Sequence, residues 1–144
     1  MRLTTRPARP FAGTHTVQGC CGELATLIVG AFGGGGELML AHERYRVSRD
    51  GGFVLEGPEG VVATAHASGG RCFEIAYAGR RLTVEPAPSL RHAYVVSEGV
   101  AQRGAVRRRT PFVRRIEAEL TAEVPFPVQL FIAWLMLVPA NRLM

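Results

Sequence analysis

Apolar and polar residues alternate along much of this chain, and turn-forming residues interrupt the alternation at intervals of about ten residues. The interruptions are Asp50-Gly51-Gly52, Gly57-Pro58-Glu59-Gly60, Ser68-Gly69-Gly70, Ala78-Gly79, residues 86–89 and Glu98-Gly99. This spacing is typical of an antiparallel meander, whose strands each have one buried face and one solvated face.

The segments between the turns fit this interpretation. Phe73, Ile75 and Tyr77, for example, alternate with Cys72 and Glu74. The other predicted strands lie around Tyr45 and Val47, around Leu82 and Val84, and over residues 61–67, 91–97, 100–107 and 112–123. The pattern therefore predicts about eight strands, the first of which begins near Leu38.

A wholly apolar segment follows the predicted strands. Residues 127–138 lie between Pro127, which suits the first position of a helix, and Pro139, which ends one. Gln129 is the only polar residue among them, so the predicted helix has no solvated face and must be buried on every side. Its length of about 18 Å is well short of the roughly 30 Å hydrocarbon core of a bilayer.

Strands followed by an apolar helix predict a mainly β fold, in which an antiparallel meander closes into a barrel around the hydrophobic C-terminal helix. Closure removes exposed strand edges, and the helix fills the interior of the barrel. The competing interpretation is a C-terminal membrane anchor over residues 124–143. Trp134 and Arg142 favour the anchor, whereas its short length, its flanking prolines and Gln129 oppose it.

Residues 1–36 show less pattern than the rest. Pro7, Pro10 and the glycines at 33–36 predict a flexible leader with one short apolar segment, 24–32, that docks on the body. Residues 37–144 then form the barrel domain. The glycine run is similar to a nucleotide-binding turn, but such a turn needs a following helix, and strands follow it here.

The chain is basic, and its positive charge comes from arginine. All seventeen basic residues are arginine, Asp50 is the only aspartate, and the net charge is +5. An absence of lysine indicates a coding bias first and selection for phosphate-binding guanidinium groups second. The positive charge permits an anionic partner, either a lipid surface or a nucleic acid.

Candidate catalytic and metal-binding chemistry is sparse. Cys20, Cys21 and Cys72 form neither a disulfide framework nor a zinc spacing, which favours a reducing, cytoplasmic location. No pair of histidines has the spacing of metal ligands, so no metal or other cofactor is predicted. No serine or cysteine has the surroundings of an activated nucleophile, and we expect a protein that is not an enzyme.

The candidate binding site is a set of arginines around the last predicted hairpin: Arg103, Arg107, Arg108, Arg109, Arg114 and Arg115. On a hairpin centred near Thr110-Pro111, these side chains form a cationic corner that holds phosphate groups through paired N–H donors. The alternative is an ordinary solvated face whose cross-strand partners are Glu117, Glu119 and Glu123. Specific nucleic-acid binding is not predicted, because Phe112 is the only aromatic residue in this run.

The glycine-punctuated hairpins and the closing segment Val124-Pro125-Phe126-Pro127-Val128-Gln129-Leu130-Phe131-Ile132-Ala133-Trp134-Leu135 resemble the tubby C-terminal-like superfamily over residues 38–142. That group includes the LURP-one-related proteins and the phospholipid scramblases. The resemblance implies a β-barrel around a hydrophobic C-terminal helix, and in tubby domains basic residues outside the barrel bind phosphoinositides. No residue-by-residue match to that site, or to the acidic calcium segment of scramblases, is present.

The superfamily usually has twelve strands, so this chain is either a reduced version or uses its N-terminal stretch for the remainder. Together these observations predict a non-enzymatic, intracellular domain that binds anionic lipid headgroups or a membrane surface through the arginine corner, as a cytoplasmic protein at the periphery of the membrane. The alternative is a C-terminally anchored membrane protein with a cytosolic β-domain. The sequence identifies no protein partner.

Overall fold

The computed structural model describes residues 1–8, 13–20, 22–30, 35–69, 72–88, 90–109 and 115–138. These residues contain twelve strands and one helix. The elements are β1 (Arg2–Pro7), β2 (Thr14–Gly19), β3 (Gly22–Val29), β4 (Gly36–Leu40), β5 (Glu43–Arg49), β6 (Phe53–Gly57), β7 (Gly60–Gly69), β8 (Cys72–Tyr77), β9 (Arg80–Pro86), β10 (Ala93–Glu98), β11 (Ala101–Arg109), β12 (Arg115–Leu120) and α1 (Phe126–Leu137).

The strands form a closed antiparallel barrel. Each strand pairs with its neighbours in the sequence, and β1 closes the barrel by pairing with β12, where Leu3 lies opposite Ala118. Alternate side chains point inward: Phe73, Ile75 and Tyr77 of β8 are buried, as the sequence pattern predicts. The predicted fold class, a mainly β meander that closes around a C-terminal helix, is confirmed.

The helix α1 occupies the interior of this barrel. Pro127 lies in its first turn, and the backbone becomes extended at Val138, so the observed bounds differ from the predicted 127–138 by one residue. Every side chain from Val128 to Val138 is buried, including Trp134, which has no exposed surface. The side chains that a membrane anchor would present to lipid therefore lie against the inner faces of the strands. No helix among the described residues has the combination of length and hydropathy needed to cross a bilayer.

Gln129 is the one polar side chain on the buried helix surface. Its Nε2 atom donates hydrogen bonds to the carbonyl oxygens of Val124, at 2.8 Å, and Thr121, at 3.4 Å. These two residues belong to the connection between β12 and α1. The amide thus satisfies backbone acceptors where the chain turns into the barrel, a place where unpaired buried carbonyls would be costly.

In the described part of residues 1–36, strands stand where a flexible leader was expected, and residues 9–12, 21 and 31–34 lie outside the described residues. These residues contribute β1, β2 and β3, and the apolar segment expected to dock over 24–32 mostly belongs to β3, which pairs with β2 and β4. The inward positions here include Thr5, His15 and Ala25, all buried, so the usual large apolar residues are partly replaced. A bulge at Val17/Gln18 also shifts the register. The N-terminal stretch therefore supplies the strands that the sequence interpretation lacked.

The two ends of the barrel differ. One end, which we call the tight-turn end, carries the two-residue connections 41–42, 58–59, 78–79 and 99–100 and the segment that leads into α1. Ala41 and Ala78 have positive φ angles of 38° and 47°, as tight hairpin turns require. At the other end, which we call the arginine end, β1, β3, β5, β7, β9 and β11 finish and the next strands begin.

Candidate functional site

The predicted arginine corner lies on β11 and β12, at the arginine end. The strand register pairs Arg107 with Glu117, Arg108 with Ile116, and Arg109 with Arg115. Because Ile116 is buried against the core, its partner Arg108 occupies an inward position at the rim, where it is half-buried. Arg107 and Arg115 lie on the opposite, outward set of positions. Arg114 lies outside the described residues, as do Thr110 and Pro111.

Arg103 does not belong to this corner. It sits at an irregularity between β10 and β11, where Ser97 pairs with Gln102 and Val96 with Gly104. Its guanidinium forms ion pairs with Glu98, at 3.1 Å, and with Glu123. Arg103 is thus neutralised at the tight-turn end, away from Arg107, and the phosphate site predicted for the whole set stays a prediction.

Glu98 links Arg103 to a second arginine. Arg80 donates two hydrogen bonds to the Glu98 carboxylate, at 2.7 and 2.6 Å. The hydrogen bonds from Arg80, and then those from Arg103, hold the pKa of Glu98 below its usual value, although desolvation opposes the shift. The backbone carbonyl of Arg103 also accepts a hydrogen bond from Thr121 N at 2.8 Å, which ties this network to the segment that enters the barrel.

Ion pairing separates two groups of arginines. Those with a described ion pair all lie in the halves of their strands nearer the tight-turn end: Arg2, Arg44, Arg80, Arg81 and Arg103. Within the described ranges, no ion pair is formed by Arg6, Arg91, Arg107 or Arg115, and all four lie at the arginine end. Arg46, near the middle of β5, also forms none within these ranges, whereas Arg49 and Arg108, at the arginine end, have interactions of their own. Guanidinium groups without a carboxylate partner keep their N–H donors available for other anions.

Arg6 joins the site through closure of the barrel. On β1, Thr4 is the last residue that pairs with β12, opposite Glu117, and Arg6 lies two residues further along β1 on the same outward set of positions. Arg6 is exposed, and Thr5 faces inward, where its hydroxyl accepts a hydrogen bond from Ile116 N at 2.9 Å. Arg6 and Arg107 are 101 positions apart along the chain, so no local pattern indicates that they share a surface.

Arg115 carries an unsatisfied donor. Its Nε atom is shielded from solvent and has no hydrogen-bond partner among the described residues. A shielded guanidinium donor normally finds an acceptor, because leaving it without one costs free energy. We call Arg6, Arg107 and Arg115, on the adjacent strands β1, β11 and β12, the arginine surface.

The alternative, an ordinary solvated face, accounts for part of the set. Glu119 pairs with Arg2 at 3.3 Å, and Glu123 pairs with Arg103. Glu117 lies opposite Arg107 in the register and has interactions of its own. A single glutamate thus accompanies the arginines of the outer face, and the local charge stays positive.

Other chemistry is sparse in the part of the chain that the structure describes. No three histidine, cysteine, aspartate or glutamate side chains there are grouped so that they could hold a metal ion. Cys72 is a free thiol. Comparisons with protein-family models, with curated protein sequences and with solved structures gave no significant match.

Proposed function

We propose that this protein is a non-enzymatic, intracellular domain that binds a phosphate-bearing anionic surface through the arginine surface. The observation that carries the proposal is the segregation of ion pairing: Arg107 and Arg115 have no described carboxylate contact, whereas Arg80 and Arg103 share Glu98. Unpaired guanidinium groups bind phosphate oxygens through two parallel N–H donors each.

Two further features support the proposal. The Nε donor of Arg115 is shielded and has no partner among the described residues, so the guanidinium would gain a hydrogen bond if it turned towards an anion on the outer face of β12. A free thiol at Cys72 suits a reducing compartment. The resemblance to the tubby C-terminal-like superfamily implies the same class of ligand, held by basic residues outside the barrel.

The test is sedimentation with phosphatidylcholine vesicles and with vesicles that also contain phosphatidylserine, at low and high salt. Replacing Arg107 and Arg115 with Gln should lower the affinity for anionic vesicles roughly 30-fold, at about 1 kcal/mol for each arginine near the surface. Raising the salt concentration should release the wild-type protein, because mobile ions screen exposed charges.

The matched control is Arg44→Gln with Arg81→Gln. It removes the same charge from two exposed arginines that lie nearer the tight-turn end, where Arg44 is paired with Glu37 and Arg81 with Glu74. Equal losses in both double variants would show that only net charge matters and would refute the arginine surface. Titration with inorganic phosphate in place of vesicles separates binding of a free anion from binding of a surface.

A further inference from the structure

We propose that the anionic partner is a lipid bilayer, that the barrel meets it with the arginine end, and that Leu90 enters the headgroup region beside the arginines. This inference rests on the proposed function and adds an orientation and an apolar contact to it. Three observations support it: the distribution of glutamates along the barrel, the exposure of Leu90, and the attachment of its loop to β11.

The two halves of the barrel differ in net charge. Among the described residues, seven glutamates outnumber five arginines in the tight-turn half: Glu23, Glu43, Glu56, Glu59, Glu98, Glu119 and Glu123 against Arg2, Arg44, Arg80, Arg81 and Arg103. In the arginine half, seven arginines outnumber five acidic residues: Arg6, Arg49, Arg91, Arg107, Arg108, Arg109 and Arg115 against Glu37, Asp50, Glu74, Glu85 and Glu117. An anionic surface attracts one end of such a molecule and repels the other, so the field favours one orientation before any contact forms. The same field would hold the axis of the barrel away from a side-on position.

Leu90 is an apolar side chain at the attractive end. It lies in the connection between β9 and β10, next to Arg91, and 53% of its surface is exposed. Among the described residues, the other large apolar side chains with more than half of their surface exposed are Met1, Val61 and Val100, and all three lie at the tight-turn end. Among the described residues, Leu90 is thus the large, mostly exposed apolar side chain that an anionic surface at the arginine end would meet.

The loop that carries Leu90 is hydrogen-bonded to β11, the strand that contains Arg107. Ala87 N donates to Ala93 O at 2.8 Å, which closes the base of the loop. Arg108 N donates to His92 O, also at 2.8 Å, so the loop continues the hydrogen bonding of β11. His92 has a φ angle of 57°, a left-handed conformation that turns the chain back towards β10. These bonds hold Leu90 close to the strand that carries Arg107.

A bilayer suits this combination better than a soluble anion. An apolar side chain gains nothing from a phosphate group in water, whereas at a membrane it leaves water for the boundary between headgroups and acyl chains. The arginine surface lies on the outer wall where the strands β1, β11 and β12 meet the arginine end, so its guanidinium groups border the end that faces the membrane. Two clefts of about 420 and 460 Å³, which would suit small ligands, lie at the tight-turn end, next to Tyr45 and Thr121 respectively.

The experiment compares Leu90→Glu with Val100→Glu in the full chain. Both variants add one negative charge at an exposed apolar turn residue, and Val100, with a relative exposure of 108%, lies at the tight-turn end. Leu90→Glu should weaken binding to phosphatidylserine vesicles roughly tenfold or more, because it loses the apolar contact and meets like charge. Val100→Glu should change the affinity less than roughly twofold, because its charge lies beyond the screening length. Equal effects would overturn the orientation.

A second readout does not depend on a loss of binding. Leu90→Trp and Val100→Trp are each mixed with anionic vesicles that contain brominated lipid, and indole emission is recorded. Since Trp134 is fully buried, it supplies a constant background that lipid does not reach. Quenching in Leu90→Trp alone supports the proposal, and quenching in both or in neither overturns it.

Failure of this inference is distinguishable from failure of the proposed function. If the wild-type protein ignores anionic vesicles, the proposed function itself is refuted. If the wild-type protein binds and loss of Arg107 and Arg115 weakens binding, while both Leu90 variants behave like their Val100 controls, only the orientation and the apolar contact are refuted. Circular dichroism of each variant confirms that the barrel is folded.

Discussion

The indole N–H of Trp134 donates a hydrogen bond to the backbone carbonyl of Ile28, with 2.9 Å between Nε1 and the oxygen. The bond joins the helix in the barrel to β3, across 106 residues of sequence. Trp134 also meets the ring of Phe53 edge-on, with 5.6 Å between the ring centroids. One side chain thus fixes both the rotation of α1 and its position along the barrel axis.

Replacing Trp134 with Phe should therefore destabilise the protein. The variant keeps an aromatic ring but leaves the Ile28 carbonyl without its donor, which costs about 1–3 kcal/mol, in addition to the lost packing of the larger ring. Urea unfolding followed by far-ultraviolet circular dichroism measures the change. The control, Met39→Ala on the exposed side of β4, should change the free energy of unfolding by less than about 0.5 kcal/mol. Equal stability of wild type and Trp134→Phe would contradict the role of the hydrogen bond.

Gly36, the first residue of β4, leaves room for the hydrogen bond between Trp134 and Ile28 because it has no side chain. A Cβ atom added to Gly36 would lie 2.7 Å from Nε1 of Trp134 and would also collide with the Ile28 carbonyl oxygen. Gly36→Ala should cost about 3 kcal/mol or more, because a backbone atom of a central strand cannot easily move away. Thermal unfolding measures this loss.

The double variant Gly36→Ala with Trp134→Leu measures the coupling free energy between the two residues. It should lose less stability than the sum of the single variants, since the shorter side chain removes one of the two collisions. Strict additivity would show that Gly36 and Trp134 act independently.

Substitutions at Leu135 test whether the barrel encloses α1. Its side chain has no exposed surface, so Leu135→Asp places a carboxylate where neither water nor a cation is available, and the domain should not fold. Leu135→Met keeps the volume and the polarity and should cost less than about 1.5 kcal/mol. A soluble, cooperatively unfolding Leu135→Asp protein would show that α1 can leave the barrel interior.

The Arg80–Glu98–Arg103 network predicts a pH effect. Because hydrogen bonds lower the pKa of Glu98 in the folded protein below the ordinary value of 4.5, folding favours the ionised carboxyl group. Its contribution to stability is present above pH 4.5 and disappears as the pH falls through the lowered pKa. Urea unfolding at several pH values should give a steeper acid loss for wild type than for Glu98→Gln.

Glu56→Gln is the control for this effect. Glu56 is exposed and has no described ion pair, so the variant should keep the wild-type pH profile. Parallel profiles for wild type and Glu98→Gln below pH 4.5 would show that the network does not contribute to folding.

The barrel and its helix could be predicted because both signals are local. Alternation over β8 and the apolar run around Trp134 each lie within a dozen residues. The first three strands could not be recognised, because Thr5, His15 and Ala25 occupy inward positions that usually carry large apolar residues. Their burial depends on neighbours from β12 and α1, which the local pattern does not contain.

The candidate site, too, could be predicted from the sequence only in part. The run that contains Arg107 and Arg115 is visible in the sequence, but two facts about it depend on three-dimensional contacts. Arg103 is neutralised by Glu123, twenty residues away along the chain, and Arg6 arrives through the pairing of β1 with β12. A count of charges along the sequence shows neither relationship.

The placement of α1 has a consequence for the order of synthesis. Ribosomes release a chain from its N-terminus, so all twelve strands are made before the segment that fills them. Until Phe126 and the residues after it emerge, the inward faces of the hairpins have only each other to cover them, and such surfaces favour aggregation. We therefore expect translation that stops before α1 to yield protein that chaperones retain, and folding in the cell to finish only after the ribosome has passed the helix.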